Sequence, residues 1–353
     1  MKITRRSLLQ LAGLAALGIF VPACREMFKQ ILFSPKASVG EPRRVAENPF
    51  RSGSRSLVAI VHGEEIPRMV RRALDLIGGI ERLGLAGART LVKPNVVWGD
   101  PPPATTDPRV VKAVASLVKA QGPSSLAVGD MSAVVSLPTR PHLEKTGIAE
   151  AAREVGAEVL AFDEGEWVKV HPPQVEYAKT VYVAKAAYEA ERLISVPVIK
   201  THRSASFSCA LKNTVGCVHG KNKPWAYGSE GWEPTVAELN MAIRPDLYVV
   251  DGLQSMVRGG PWSGQAVPTK IILASGDPVA TDVVALGLIK AFGRWEMVTA
   301  KGVWDQVQIQ RAIALGLGAQ GPDEVELIAE DLTGDDQGFT KLVADIRRYV
   351  GLR

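Results

Sequence analysis

TLVKPNVVWGDPPPATTDPRVVKAVASLVKAQGPSSLAVGD, residues 90–130, holds two short apolar runs separated by a helical pattern. TLVKPN (90–95) and LAVGD (126–130) have the β-branched, apolar texture of buried strands. Between them, Thr106-Asp107-Pro108 opens a helical stretch over 108–121. A side chain able to cap the first turn is followed there by proline, whose fixed φ suits the first helical position. Strand, capped helix and strand form a βαβ unit, so the two strands should lie in a mostly parallel sheet.

The same texture continues outward. Further strands are expected at 57–62, 158–162, 192–199, 247–252, 270–276 and 325–330, and helices at 67–80, 142–155, 235–243, 278–291, 305–315 and 338–350. The fold class is α/β, an open, mostly parallel sheet with helices on both faces. An insertion over 163–191 carries TVYVAKAAY (180–188) and is expected to add a hairpin or an edge strand. A long irregular insertion near 203–234 is polar and rich in Gly, Pro and Trp. Loops of that length in a compact domain are usually functional or disordered, and function is the expectation here.

The N-terminal stretch MKITRRSLLQLAGLAALGIFVPAC (1–24) suggests a cellular address. Arg5-Arg6 precedes a 14-residue apolar run, Leu8–Val21, shorter than the roughly 20 residues a bilayer span needs. It resembles a twin-arginine export signal, which implies the twin-arginine machinery as a partner and a periplasmic or outer-face location. Val21-x-Ala23 fits a cleavage site, while Val21-Pro22-Ala23-Cys24 is a degenerate lipobox that would lipidate Cys24 and tether the protein to a membrane. Residues 25–56 are expected to form a flexible linker, followed by a single domain over 57–353. The net charge is +5, but Lys2, Arg5 and Arg6 lie in the signal, leaving +2 with no basic stripe. Nucleic acid is therefore not an expected partner.

In open parallel sheets, ligands sit beyond the carboxyl ends of the strands. The expected strands deliver Lys93 and Asn95, Asp130, Lys200 and His202, Asp251, and Asp277 to those ends. A lone Asp after a strand is commonly a cap, and Asp277 reads as the cap of the helix that follows. Lysine, histidine and amide exits beside carboxylate exits point instead to a shared polar site.

The richest chemistry lies in KTHRSASFSCALKNTVGCVHGKNK (200–223). Lys200 and His202 flank Thr201 and point the same way if the strand continues. A short helix from Cys209 to Val215 would carry Lys212 and Asn213, which with Lys93 would hold a carboxylate or phosphate. Gly216, Gly220 and GGPWSG (259–264) would allow close backbone approach to an anion. Trp225, Trp232 and Trp262 either wall a ligand or pin the loops to the body. His202, Cys209, Cys217 and His219 match no common zinc spacing, and the cysteines read either as a disulfide or as two buried thiols. The chain shows no iron–sulfur motif, P-loop, dinucleotide fingerprint or serine-hydrolase elbow.

LVKPNVV (91–97), TTDPRVVKAVASLV (105–118), VPVIKTH (196–202), ALKNTVGCVHGK (210–221), VVDGLQSMVRGGPWSGQAVP (249–268) and ASGDPVATDVVAL (274–286) together resemble the domain of unknown function (DUF) family 362. The resemblance runs in order across about residues 57–320. The family's Lys-Thr-His and Leu-Lys-Asn elements correspond to Lys200, His202, Lys212 and Asn213, and its Asp-Gly and Gly-Asp-Pro elements to Asp251 and Asp277. Some members carry a cysteine-rich ferredoxin-like segment, which implies a redox context; this chain has no such cluster, which weakens that implication here.

Together these features lead to an exported enzyme that binds a small anionic substrate or cofactor. Lys93, Asn95, Asp130, Lys212 and Asn213 are the expected ligand-binding residues. His202, Lys200 and Asp251 are the expected catalytic ones, with His202 transferring protons because its ordinary pKa lies near neutrality. No cofactor is specified; Asp130 and Asp251 would orient a lysine or bind a divalent metal with a substrate phosphate. The alternatives are a lipid-anchored binding protein without turnover and a redox-associated protein.

Overall fold

A computed structural model describes residues 27, 29–43, 47–223, 228–334 and 336–352. In chain order its strands are β1 (Ala37–Gly40), β2 (Arg51–Ser52), β3 (Arg55–His62), β4 (Arg89–Pro94), β5 (Ser125–Asp130), β6 (Glu158–Ala161), β7 (Trp167–Val170), β8 (Val181–Ala184), β9 (Arg192–Val196), β10 (Val198–His202), β11 (Ser206–Ser208), β12 (Leu247–Gly259), β13 (Gly264–Ser275) and β14 (Val325–Asp331). The main sheet has the order β14-β3-β13-β12-β9-β4-β5-β6. All neighbours in that order are parallel except β13, which is antiparallel to both β3 and β12.

Side-chain alternation along these strands builds two cores, one on each face. Val58 and Ile60 of β3 join one apolar cluster, while Leu57, Ala59 and Val61 join the other. Leu193 and Ile194 of β9 divide in the same way. Helices Ile66–Leu76, Pro108–Ala120 and Ile148–Glu154 cover one face. Helices Gly228–Leu239, Pro278–Phe292, Val307–Ala314 and Gln337–Val350 cover the other. The helix at Pro108 starts as its sequence demands, with the Asp107 side chain accepting from Arg109 N at 2.9 Å.

This winding positions the site. From β4 the chain steps outward through β5 to β6, whereas β9 leads the other way to β12. The direction therefore reverses between β4 and β9, where an open α/β sheet forms its crevice. Beyond Val196 the chain continues as β10, which pairs with the far half of β12 and folds back into β11. The β12–β13 hairpin, 13 and 12 residues per strand, carries the wall of the crevice past the sheet edge.

Three sequence expectations change. Because β13 runs antiparallel, Asp277 emerges at the opposite rim, where it accepts from Ser56 Oγ at 2.7 Å and caps helix Pro278–Phe292. Residues 25–56 were expected to be a flexible linker, yet where they are described they are docked. β1 pairs with β7, and Arg43 makes a buried 2.8 Å ion pair with Asp246. Those partners lie far away in sequence, so local composition did not reveal them. The 163–191 insertion supplies the β7–β8 hairpin, which joins β1 in a separate three-stranded sheet. Stretch 203–234 is also more ordered than expected: besides the expected short helix, which is Ala210–Asn213, it contains β11 and the start of helix Gly228–Leu239. The signal, including Arg5, Arg6 and Cys24, lies outside the described residues, and among those described no helix is long and apolar enough to cross a membrane.

Candidate functional site

A cavity of about 340 Å³ opens at the β4–β9 reversal. Its polar lining includes Asn95, Asp130, Lys200, His202, Lys212 and Lys223. Lys93 sits immediately behind it, fully buried, with Nζ 2.7 Å from Oδ1 of Asp130. The other carboxylate oxygen of Asp130 accepts from Val96 N at 2.7 Å, fastening β5 to the loop after β4.

Two amides tie the lysines together. Lysine can only donate, so each amide must turn its oxygen toward an ammonium. Lys200 Nζ donates to Asn95 Oδ1 at 2.6 Å and to Ala104 O at 2.8 Å. The nitrogen of Asn95 donates in turn to Asn213 Oδ1, which also accepts from Lys93 Nζ, each at 3.1 Å. Asn213 Nδ2 then donates to Ser195 Oγ and to the carbonyl of Lys93. Every orientation in this chain is fixed by the one before it.

The short helix bearing Lys212 and Asn213 is held from beneath. Asp282 of helix Pro278–Phe292 accepts from Ala210 N at 2.6 Å and Leu211 N at 3.1 Å. Burial raises the Asp282 carboxyl to about 7. Gly216 is required by the ion pair, because a Cβ there would overlap Oδ1 of Asp130 and stand 2.6 Å from Lys93 Nζ. Gly260, at φ +83°, lets the β12–β13 turn lie against the carbonyl of Thr201.

Electrostatically the site is short of negative charge. Burial and its lysine neighbours Lys223 and Lys93 lower Lys212 to about 7. Burial lowers Lys223 to about 8, despite Asp130. Lys200 is pushed well below its ordinary value by burial and then by Lys212. Among the described residues the Lys212 ammonium has no carboxylate or hydrogen-bond partner and lies 5.5 Å from the Trp232 ring centroid. The lining is built to receive an anion.

Two expected roles move. Burial, Lys212 and Lys200 push His202 well below its ordinary pKa, so it is neutral at pH 7. Its Nδ1 accepts from Ser204 N at 3.2 Å, which leaves the proton on Nε2. His202 thus carries Nε2–H as a donor, and among the cavity-lining groups it is Lys212 that is lowered to about 7. Asp251 is absent from the described cavity lining; its oxygens accept from Asp107 N at 2.7 Å and Leu253 N at 3.1 Å. It anchors the start of helix Pro108–Ala120, and burial raises it to about 7.

The Lys93, Lys200 and Lys212–Asn213 elements that build this site all lie within residues 90–287, which match the domain of unknown function DUF362 over more than half of the chain. The chain belongs to the DUF362 family. It is 28% identical over 228 residues, 63% of this chain and 69% of the other, to the thylakoid-associated protein of Synechocystis sp.. Its backbone is similar to the lactate racemase apoprotein from Thermoanaerobacterium thermosaccharolyticum at TM-score 0.41 and 11% identity, covering 82% of this chain and 85% of that one.

In this DUF362 protein the two described cysteines are not linked to each other. Cys209 and Cys217 are free and buried, and burial drives the Cys217 thiol up to about 12. Reactive thiols are shifted the other way. His219 packs edge-on against Trp167 at 4.8 Å, with Nδ1 accepting from Lys221 N. Among the described residues no three His, Cys, Asp or Glu side chains are grouped to hold a metal. Gly220 backs onto the carbonyl of Gln30 instead of the cavity, and Trp225 is outside the described residues. Sequence reasoning passed over Lys223, which stood within the basic stretch but carried no positional signal until the 3-10 turn at Gly220–Asn222 placed it. It also left the role of Asp282 open, since only the fold brings that helix under Ala210.

Proposed function

We propose that this DUF362 protein is an enzyme that binds a small carboxylate or phosphate in the β4–β9 crevice and uses Lys212 for proton transfer. The supporting observation is the Lys212 ammonium itself, which faces a cavity shared with Lys200 and Lys223 and is lowered to about 7. A general acid or base works best with a pKa near the working pH. In this reading Lys93–Asp130 and the Asn95–Asn213 relay hold the lysines in place. His202 Nε2–H supplies a neutral donor to the bound anion.

Export by the twin-arginine route and tethering through Cys24 belong to the same proposal. The name of the Synechocystis relative associates it with thylakoids, a membrane system, which is in keeping with a membrane-tethered protein. Substituting Arg5 and Arg6 by lysine should retain the protein in the cytoplasm, and Cys24→Ser should abolish palmitate labelling. Secretion of the first variant, or labelling of the second, would remove this part.

The ligand proposal is tested by native mass spectrometry of the full-length chain purified from cytoplasm. The expected result is a retained small anionic mass that is lost in Lys212→Met. If nothing is retained and no phosphate or carboxylate raises Tm, the proposal fails.

A further inference from the structure

The cavity reverses the usual order of a protein surface. Two of its lysines are deep, Lys200 and Lys223 being only 1% and 4% exposed with Lys212 half-buried beside them, whereas Val135 and Trp262 on its lining are 53% and 43% exposed. Large apolar side chains normally lie inside and lysines outside. Met131 and Val134 on the loop after β5, both buried, line the same cavity and add apolar surface to it. Trp262, on the β12–β13 turn, packs on Trp98 at 6.2 Å between ring centroids. That contact supports one face of an otherwise open indole. A small ion such as phosphate would use the lysines and leave the apolar part of the lining in water.

We propose that the ligand is amphipathic, an acid group on an apolar body: the acid group sits among Lys200, Lys212 and Lys223, and the body lies along Met131 and Val134 to emerge between Val135 and Trp262. This rests on the anion-site reading above and narrows it to one class of ligand. Burying a ring or a short acyl chain against this wall removes apolar area from water at both surfaces. The preference for such ligands therefore resides in residues separate from the lysines.

The test is calorimetric titration of the full-length chain at pH 6.5 with phosphate, phenyl phosphate, acetate, octanoate and benzyl alcohol. Phenyl phosphate and octanoate are expected to bind about tenfold or more tightly than phosphate and acetate. In Trp262→Ala combined with Val135→Ser, both exposed positions, that ratio should fall toward one. Equal affinity for bodied and bare anions overturns the amphipathic inference while leaving an anion site. Benzyl alcohol binding as tightly as phenyl phosphate overturns it by making the charge irrelevant. Failure of every anion to bind removes both this inference and the reading beneath it.

Discussion

Lys93 Nζ and Asp130 Oδ1 stand 2.7 Å apart with side-chain exposures of 0% and 2%, at the ends of adjacent parallel strands. The pair joins β4 to β5 under the cavity floor, and each partner is the other's main compensation for burial. Removing one partner from such a pair typically costs about 3–5 kcal/mol, because a buried charge is left uncompensated. Asp130→Asn and Lys93→Met should each lower unfolding stability by about that amount. The double variant should recover part of the loss, as measured by urea denaturation. Additive losses would mean the two groups are not coupled.

Gly216→Ala probes the same pair without touching its charges. The new methyl would overlap Asp130 Oδ1, so the ion pair must part or the turn after Asn213 must move. Anion affinity should fall, because displacing this pair shifts the turn that follows Lys212 and Asn213. Wild-type affinity in a folded Gly216→Ala protein would show that the pair is not part of the binding site.

Anion binding should weaken with rising pH. Lys212 holds its proton only below about 7 in the free protein, and a bound anion favours the protonated form. Affinity should therefore drop by up to about tenfold per pH unit above 7, with proton uptake on binding at pH 8. Calorimetry in buffers of different ionisation enthalpy measures that uptake directly. A flat profile from pH 6 to 9 would reassign the charge to another group.

The free protein should be least stable near neutrality. Asp251 and Asp282 are raised from 3.8 to about 7, so between those values the folded state holds protons that the unfolded state releases, and stability falls as pH rises. Lys212 and Lys223 are lowered from 10.5 to about 7 and about 8, so above those values the unfolded state holds the extra protons and stability rises again. Tm measured without ligand should pass through a minimum near pH 7. A maximum there would contradict the direction of these four shifts.

Most of the fold was legible because it depends on local pattern. The β-branched runs that became β3, β4, β5, β9, β12 and β14 alternate with helical patterns, and Asp107 caps helix Pro108–Ala120 as its sequence demands; β-branching and capping both act within a few residues. The direction of β13 was not legible. The ASGDP sequence at its end looks the same whether the strand runs with or against its neighbours, and only the β12–β13 hairpin reversed it. At the site, residue identity was enough to gather Lys93, Asn95, Asp130, Lys200, His202, Lys212 and Asn213, because each sits at or beside a strand end or on the helix that follows. Their protonation was beyond the sequence. The pKa of His202 depends on its burial and then on Lys212 and Lys200, and the fate of Asp251 depends on the backbone N–H of Asp107, 144 positions away.

In the proposed site Lys212 is the charge that meets the ligand. The most direct measurement is phosphate titration by calorimetry at pH 6.5 into wild type and Lys212→Met, with circular dichroism to confirm that both are folded. Wild type should bind and take up protons as the pH is raised, and Lys212→Met should lose at least about tenfold in affinity together with that uptake, since a charged hydrogen-bond partner is removed from a buried site. Unchanged affinity and unchanged proton uptake in a folded Lys212→Met protein would contradict the account.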